Sequence, residues 1–120
     1  MTDGLANAGF DLDLKEGQYS ENELSKALSF GKVEVKRDKK CADTGNLFVV
    51  YRYKGYASGI SISTADYWAF EYCDGSWLLV PLERLKTLAR RAFSEGRIKA
   101  GGDYNRSIGV LIPIEWMVRI

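Results

Sequence analysis

One short motif, Glu34-Val35-Lys36, has the residue types and the spacing to hydrolyse a phosphodiester bond. Residues two apart on a strand project to the same face, so Glu34 and Lys36 would lie side by side. The carboxylate and the intervening carbonyl are oxygen ligands of the kind that Mg²⁺ or Mn²⁺ takes, and the ammonium group can orient and polarise an attacking water. The motif therefore predicts metal-assisted hydrolysis without histidine. Alternating charges on a solvent-facing strand edge would produce the same tripeptide, and that interpretation stays open.

Other carboxylates in the first third of the chain offer further metal ligands. Asp11 and Asp13 alternate with apolar residues over residues 10–14, which predicts a short strand with both acids on one face. Glu21 falls at the edge of the apolar face of the next predicted helix, from where it could reach a sheet edge or simply stabilise the helix dipole. Gathered carboxylates repel one another unless a divalent cation lies among them, which is the reason to predict a metal. The predicted ligands are Asp11, Asp13, Glu34 and the carbonyl of Val35.

Hydrophobic periodicity predicts the elements that position these side chains. A helix of about ten residues is expected to begin at an N-cap Ser20, to bury Leu24, Ala27 and Leu28, and to end at Gly31. The remaining predicted elements are strands at residues 32–38, 47–54, 65–73, 76–80 and 108–112 and a helix between Pro81 and Gly96. Because valines flank the Glu-x-Lys motif, its strand is predicted to be internal. The order of elements predicts one mixed α/β domain over residues 1–120, with a central mixed sheet flanked by helices.

The composition excludes several classes of site. The chain has 120 residues, of which 46% are hydrophobic and 28% charged, as is typical of one globular domain. It contains no histidine and two cysteines, which excludes Cys/His zinc sites, the Ser-His-Asp triad and histidine general bases. Cys41 is expected to be a loop thiol and Cys73 a buried one. No apolar run has the length of a membrane span, and residues 1–10 lack a signal-peptide pattern, so we expect a cytoplasmic protein with no membrane partner.

Basic side chains cluster locally although the net charge is only +1. Such clusters are found in proteins that contact phosphates, although solvated surface charge also explains them. Tyrosines interleave with Arg52 and Lys54, a pattern that fits stacking of unpaired bases or ordinary strand packing. A segment rich in Gly, Ser and Thr at residues 55–64 fits a DNA-contacting loop or a hairpin turn. The predicted nucleic-acid contacts are Arg37, Lys39, Lys40, Arg52, Lys54, Ser58 and Thr64.

Several of these segments resemble the PD-(D/E)XK nuclease superfamily. Glu21 on the first predicted helix is followed by Leu24 and Leu28, and then by a strand that carries Glu34 and Lys36. Residues 21–28 are similar to the first helix of phage-type and archaeal Holliday-junction-resolving endonucleases. Similarity to small phage and mobile-element proteins placed in the same superfamily extends over residues 32–38, 44–46, 58–60 and 64–68.

The resemblance implies a restriction-endonuclease-like core and a Mg²⁺-dependent endonuclease that acts on DNA, including branched junctions. Two symmetric cuts in a junction would suit a homodimer. The implied roles are Glu34 as a metal ligand, Lys36 as the lysine of the motif and Glu21 as the helix acid. Two alternatives stay open, namely a non-catalytic nucleic-acid-binding protein and a phage interaction module on the same fold.

In one respect the sequence departs from the superfamily pattern. The superfamily usually carries its first Asp on a strand between the helix and Glu-x-Lys, and residues 28–32 leave no room for that strand. Asp13 or Asp11 is therefore expected to take its place, with Asp38 or Asp66 as substitutes.

Overall fold

The chain alternates helices and strands in an order that builds two separate sheets. The structure, a computed structural model, describes residues 8–38, 40–72 and 75–118, with side chains from residue 17 onwards. The helices of the described residues are α1 (Ala8–Phe30), α2 (Cys41–Thr44) and α3 (Leu82–Ser94). The strands are β1 (Val33–Arg37), β2 (Asn46–Tyr53), β3 (Tyr56–Ala57), β4 (Tyr67–Tyr72), β5 (Ser76–Pro81), β6 (Ile98–Gly101) and β7 (Ser107–Pro113). Short 3₁₀ turns follow at Gly59–Ser61, Asp103–Asn105 and Ile114–Trp116.

The strands divide into a three-stranded and a four-stranded sheet. In the first, β1 pairs parallel with β4, and β4 pairs antiparallel with β5. In the second, the order is β3-β2-β7-β6 and every pair is antiparallel. The predicted mixed α/β class is confirmed, but the chain forms two sheets where one central sheet was expected. The reason lies in α2, which turns the chain between β1 and β2 so that β2 pairs with β3 and β7 instead of with β1.

Helix α3 contacts both sheets and carries the apolar stripe that fills the space beside them. Leu82, Leu85, Leu88 and Ala92 are buried, as the sequence predicts. The helix begins directly after Pro81, whose φ of −59° suits a helix start. It is followed by Gly96, which takes a left-handed φ of +75°. The core also includes Leu47 and Val49 of β2, Trp68 and Phe70 of β4, and Val110 and Ile112 of β7.

Helix α1 differs most from the sequence prediction. The predicted strand at residues 10–14 and the predicted helix start at Ser20 are both wrong, because one helix runs from Ala8 to Phe30. This segment has no β-branched residue, so its intrinsic preference is helical and five alternating residues do not override it. The helix does end at Gly31, whose N–H donates to the Ala27 carbonyl over 3.1 Å. Of the predicted stripe, Ala27 is buried, whereas Leu24 and Leu28 are exposed.

The remaining expectations concern the two cysteines and a membrane span. Cys41 is buried on α2, not placed in a loop as predicted, because α2 turns its first residue into the core. Cys73 lies outside the described residues. Trp116 packs against the core after β7. None of the helices in the described part of the chain combines the length and the hydrophobicity that crossing a bilayer would need.

Candidate functional site

Glu34 and Lys36 lie on the inward face of an edge strand. The prediction of an internal strand is wrong, because β1 has β4 on one side and ends the three-stranded sheet. In register, Glu34 lies beside Trp68 and Lys36 beside Phe70, and both aromatic side chains are buried. Val35, on the opposite face, is 61% exposed. The strand therefore places Glu34 and Lys36, whose side chains are 33% and 42% exposed, on the face of the buried aromatic rings, and it turns Val35 and Arg37 towards solvent.

A hydrogen-bond network holds the two charged side chains in place. The Lys36 Nζ lies 2.8 Å from Glu34 Oε2, and the Ser63 hydroxyl donates to Glu34 Oε1 over 3.3 Å. The Trp68 indole N–H donates to the same Ser63 oxygen over 2.9 Å. The ammonium group also lies 4.9 Å from the centre of a Trp68 ring, within cation–π range. The charged groups of Glu34 and Lys36 thus each have hydrogen-bond or ion-pair partners. Such partners offset the free-energy cost of partly burying a charge.

Lys36 also lines a cationic cleft between the two sheets. The cleft has a volume of about 570 Å³ and lies between the end of β1, α2 and the turn that joins β6 to β7. Its positive side chains are Lys36, Arg37, Lys40 and Lys99. Asp38 is the only acid among its described lining residues. Cations that converge in a cleft attract anions and can contact phosphates, so this cleft is a candidate phosphate-binding surface beside Lys36.

Backbone hydrogen bonds to two aspartates fix the strand that carries the motif. The two carboxylate oxygens of Asp38 accept from the N–H groups of Lys40, over 3.0 Å, and Phe48, over 2.9 Å. At the other end of β1, Asp66 accepts from the Lys32 N–H over 2.9 Å, and the Lys32 carbonyl accepts from the N–H of Asp66 over 2.8 Å. These bonds tie β1 to β2 and β4, and they give Asp38 and Asp66 structural roles.

The predicted basic contacts divide between two regions. Arg37 and Lys40 line the cleft, where Arg37 also forms an ion pair of 3.2 Å with Glu71. Arg52 and Lys54 lie at the exposed far end of β2 and its turn. Lys39 lies outside the described residues.

The Gly, Ser and Thr segment forms a turn that packs on β2. The Ser58 N–H donates to the Tyr51 carbonyl over 3.1 Å, and the 3₁₀ turn at Gly59–Ser61 follows it. Thr64 is exposed just before β4. Neither Ser58 nor Thr64 is among the described residues that line the cleft.

The structure does not assemble the predicted metal ligands among its described side chains. The side chains of Asp11 and Asp13 lie outside the described residues, and their backbone is helical. Positions two apart on a helix lie about 200° apart around its axis, so the shared strand face predicted for these acids is wrong. Glu21 is exposed on α1.

The remaining described carboxylates do not complete the site either. No group of three or more His, Cys, Asp or Glu residues that could hold a metal occurs in the described part of the chain. Glu34 supplies a carboxylate on the face of β1 that packs beside Trp68. The carboxylates of Asp38 and Asp66 accept hydrogen bonds from backbone N–H groups. The Mg²⁺ site, with Asp13, Asp11 and the Val35 carbonyl as ligands, therefore stays a prediction.

Sequence reasoning missed four residues that shape the site. Ser63 and Trp68 belong to segments noted only for small residues and for aromatic strand packing, and their contact with Glu34 requires β1 and β4 to be parallel neighbours. Lys99 and Asn105 reach the cleft from the opposite sheet. No local pattern predicts them, because β6 is a strand of only four residues that ends in glycine.

Compared with known proteins, the chain matches no family model, no curated protein and no solved structure. The resemblance to PD-(D/E)XK nucleases therefore rests on the short motifs alone.

Proposed function

We propose that the protein binds the DNA backbone in the cationic cleft and hydrolyses a phosphodiester bond beside Glu34 and Lys36. The observation that carries the proposal is that Lys36, which forms an ion pair with Glu34, lines the cationic cleft. On this edge strand Val35 is exposed, while the charged pair occupies the face of the buried aromatic rings. A restriction-endonuclease-like core and membership of the PD-(D/E)XK superfamily belong to this proposal.

The cleft would hold the phosphates on either side of the reacting one. Lys40, directly before α2, and Lys99, on β6, approach from different parts of the fold, so they can contact successive phosphates of one strand. The ion pair with Glu71 partly neutralises Arg37. Arg37 would therefore orient a phosphate by hydrogen bonding and would add little net positive charge to the cleft.

The motif residues would act on the phosphate at the end of the cleft. The Lys36 ammonium group can stabilise negative charge that develops on the phosphoryl oxygens. The Glu34 carboxylate, oriented by the Ser63 hydroxyl, supplies one oxygen ligand of the kind that Mg²⁺ or Mn²⁺ takes. Such an ion would supply Lewis-acid stabilisation and an activated water. The described side chains do not supply enough oxygen ligands to complete the coordination of this ion, so the ion remains part of the proposal. Asp13 as a further metal ligand and Glu21 as the helix acid also remain proposals.

The experiment is cleavage of plasmid DNA and of a four-way junction with Mg²⁺, with Mn²⁺ and with EDTA. We expect cutting with metal and none with EDTA. Glu34→Gln and Lys36→Met should each lower the rate by about 10²-fold or more, as loss of one charge-stabilising group does. Glu83→Gln is the matched control, because it neutralises an exposed acid of α3 that is not among the described residues lining the cleft. Full cleavage by Glu34→Gln would show that the assigned site is wrong.

A second candidate function is DNA binding without cleavage. It is favoured by the ion pair itself, since Glu34 and Lys36 satisfy one another, and by the incomplete set of acids among the described residues. Salt-dependent DNA binding with no cutting under any metal would select this function. Absence of DNA binding at low salt would select the third candidate, an interaction module.

Junction cleavage would require two symmetric cuts, so a homodimer forms part of the nuclease proposal. Light scattering in the presence and absence of junction DNA tests it, and a monomer on the junction would contradict it.

A further inference from the structure

The far end of the four-stranded sheet carries exposed tyrosines beside cations. Tyr104 is 86% exposed, Tyr56 is 79% exposed and Tyr53 is 43% exposed. The Lys54 ammonium group lies 5.6 Å from the centre of the Tyr53 ring, and the Arg106 guanidinium lies 4.9 Å from the centre of the Tyr104 ring. We refer to Tyr53, Lys54, Tyr56, Tyr104 and Arg106 as the tyrosine platform.

Backbone pairing brings these residues into two adjoining turns. Tyr53 and Tyr56 face each other across the turn between β2 and β3. The Lys54 N–H of that turn donates to the Arg106 carbonyl of the β6–β7 turn over 3.0 Å. Because directly paired residues of antiparallel strands share a face, the Tyr53 and Tyr56 side chains lie on one side of the sheet. The residues of the platform therefore lie in two hydrogen-bonded turns at one end of the four-stranded sheet.

The same region holds every non-glycine residue with positive φ in the described part of the chain. Lys54 has a φ of 49°, Tyr104 of 57° and Asn105 of 53°. Tight turns of this kind normally place Asn, Asp or Gly at the first left-handed position, where Lys54 and Tyr104 stand here. A large side chain in this conformation is strained, and strain of this sort persists at sites where the side chain has a function.

We propose that the tyrosine platform stacks unpaired bases of a DNA strand that continues out of the cationic cleft. The link between the two regions is the β6–β7 turn: Gly102 and Asn105 line the cleft, and Tyr104 lies between them in sequence. Tyrosine rings offer faces to bases, and the adjacent cations offer charge to phosphates. This inference rests on the proposed function, to which it adds a substrate class: DNA with a single-stranded or unpaired segment beside the scissile bond.

The test is equilibrium binding in EDTA, where no cutting occurs. The probes are a fluorescent oligothymidylate of twelve residues and an abasic strand of equal length and charge. We expect tighter binding of the oligothymidylate. Tyr104→Ala and Tyr56→Ala should each weaken that binding about 5- to 100-fold and leave abasic binding unchanged, as loss of one stacked base does. Tyr104→Phe should keep the affinity. Tyr19→Ala is the matched control, because Tyr19 is an exposed tyrosine on α1.

Tyr104→Asn separates the role of the ring from an effect on folding. Asn tolerates the left-handed conformation, so this variant should raise the midpoint of thermal unfolding while it weakens oligothymidylate binding. Equal binding of both probes by the wild type, or wild-type affinity in Tyr104→Ala, would overturn the platform. Metal-dependent cutting with unaffected tyrosine variants would reject the platform alone. Base-dependent binding without cutting would reject hydrolysis and leave the platform standing.

Discussion

The indole N–H of Trp68 donates to the hydroxyl oxygen of Ser63 over 2.9 Å, and Trp68 is itself only 1% exposed. This contact places a hydroxyl between a buried aromatic ring and the carboxylate of Glu34. It therefore couples the stability of the core to the orientation of the candidate site.

Removal of this hydroxyl is expected to destabilise the fold. Ser63→Ala leaves the buried indole N–H without its acceptor, which should lower the free energy of unfolding by about 1–3 kcal/mol. Urea unfolding followed by tryptophan fluorescence measures it. In a Trp68→Phe background the donor is absent, so the same substitution should cost much less. An equal loss in both backgrounds would contradict the coupling.

Asp38 is expected to act through stability and not as a metal ligand. Asp38→Ala removes the acceptor for two backbone N–H groups and should lower the free energy of unfolding by about 2 kcal/mol or more. Asp43→Ala, at an exposed position of α2, is the control and should change it by less than about 0.5 kcal/mol. Chemical denaturation gives both values. A stable Asp38→Ala protein that had lost all metal-dependent cleavage would instead support the substitute-ligand role.

Gly59 is expected to be irreplaceable, in contrast to Gly55. Both have a left-handed φ, of +53° and +84° respectively. A Cβ at Gly55 would enter open space, so Gly55→Ala should cost about 1 kcal/mol for backbone conformation alone. A Cβ at Gly59 would overlap the Val50 carbonyl, so Gly59→Ala should cost about 3 kcal/mol or more. Thermal unfolding of the two variants decides this, and equal midpoints would contradict the packing of the 3₁₀ turn on β2.

The cleft lysines are expected to determine the salt dependence of duplex binding. Lys40→Ala and Lys99→Ala should each reduce the slope of log affinity against log salt by about 0.9, the value for loss of one phosphate contact. Lys26→Ala, on the exposed surface of α1, should leave the slope unchanged. Fluorescence anisotropy at several salt concentrations measures these slopes. Slopes equal to that of the wild type in both cleft variants would place the DNA elsewhere.

Local sequence rules predicted the elements that hold the core. The Pro81 and Gly96 boundaries and the apolar stripe of α3 follow from turn chemistry and a period of 3.6 residues, and both are confirmed. Alternation also located β1, β2, β4, β5 and β7 within a few residues. At residues 10–14 the alternation of apolar and acidic residues predicted a strand, and that prediction is wrong. The helix propensity of the residues over the whole segment favoured a helix instead.

Long-range pairing could not be derived from the sequence. Alternation in β1 shows that Glu34 and Lys36 share a face, but valines on the other face imply that the charges point outward. Only the pairing of β1 with β4 beside Trp68 reveals that they point inward. The same holds for Lys99, which reaches the cleft because β6 lies at the edge of the other sheet.

The parallel pairing of β1 with β4 affects the rate and the order in which the two sheets can fold. The partners Val33 and Tyr67 are separated by the whole of β2 and β3, which belong to the other sheet. Asn46 in turn pairs with Pro113, near the end of the chain. Such nested, nonlocal connections slow folding because long loops must close before contacts form. The four-stranded sheet therefore cannot form completely until β6 and β7 have been made, whereas the three-stranded sheet needs only the chain up to Pro81.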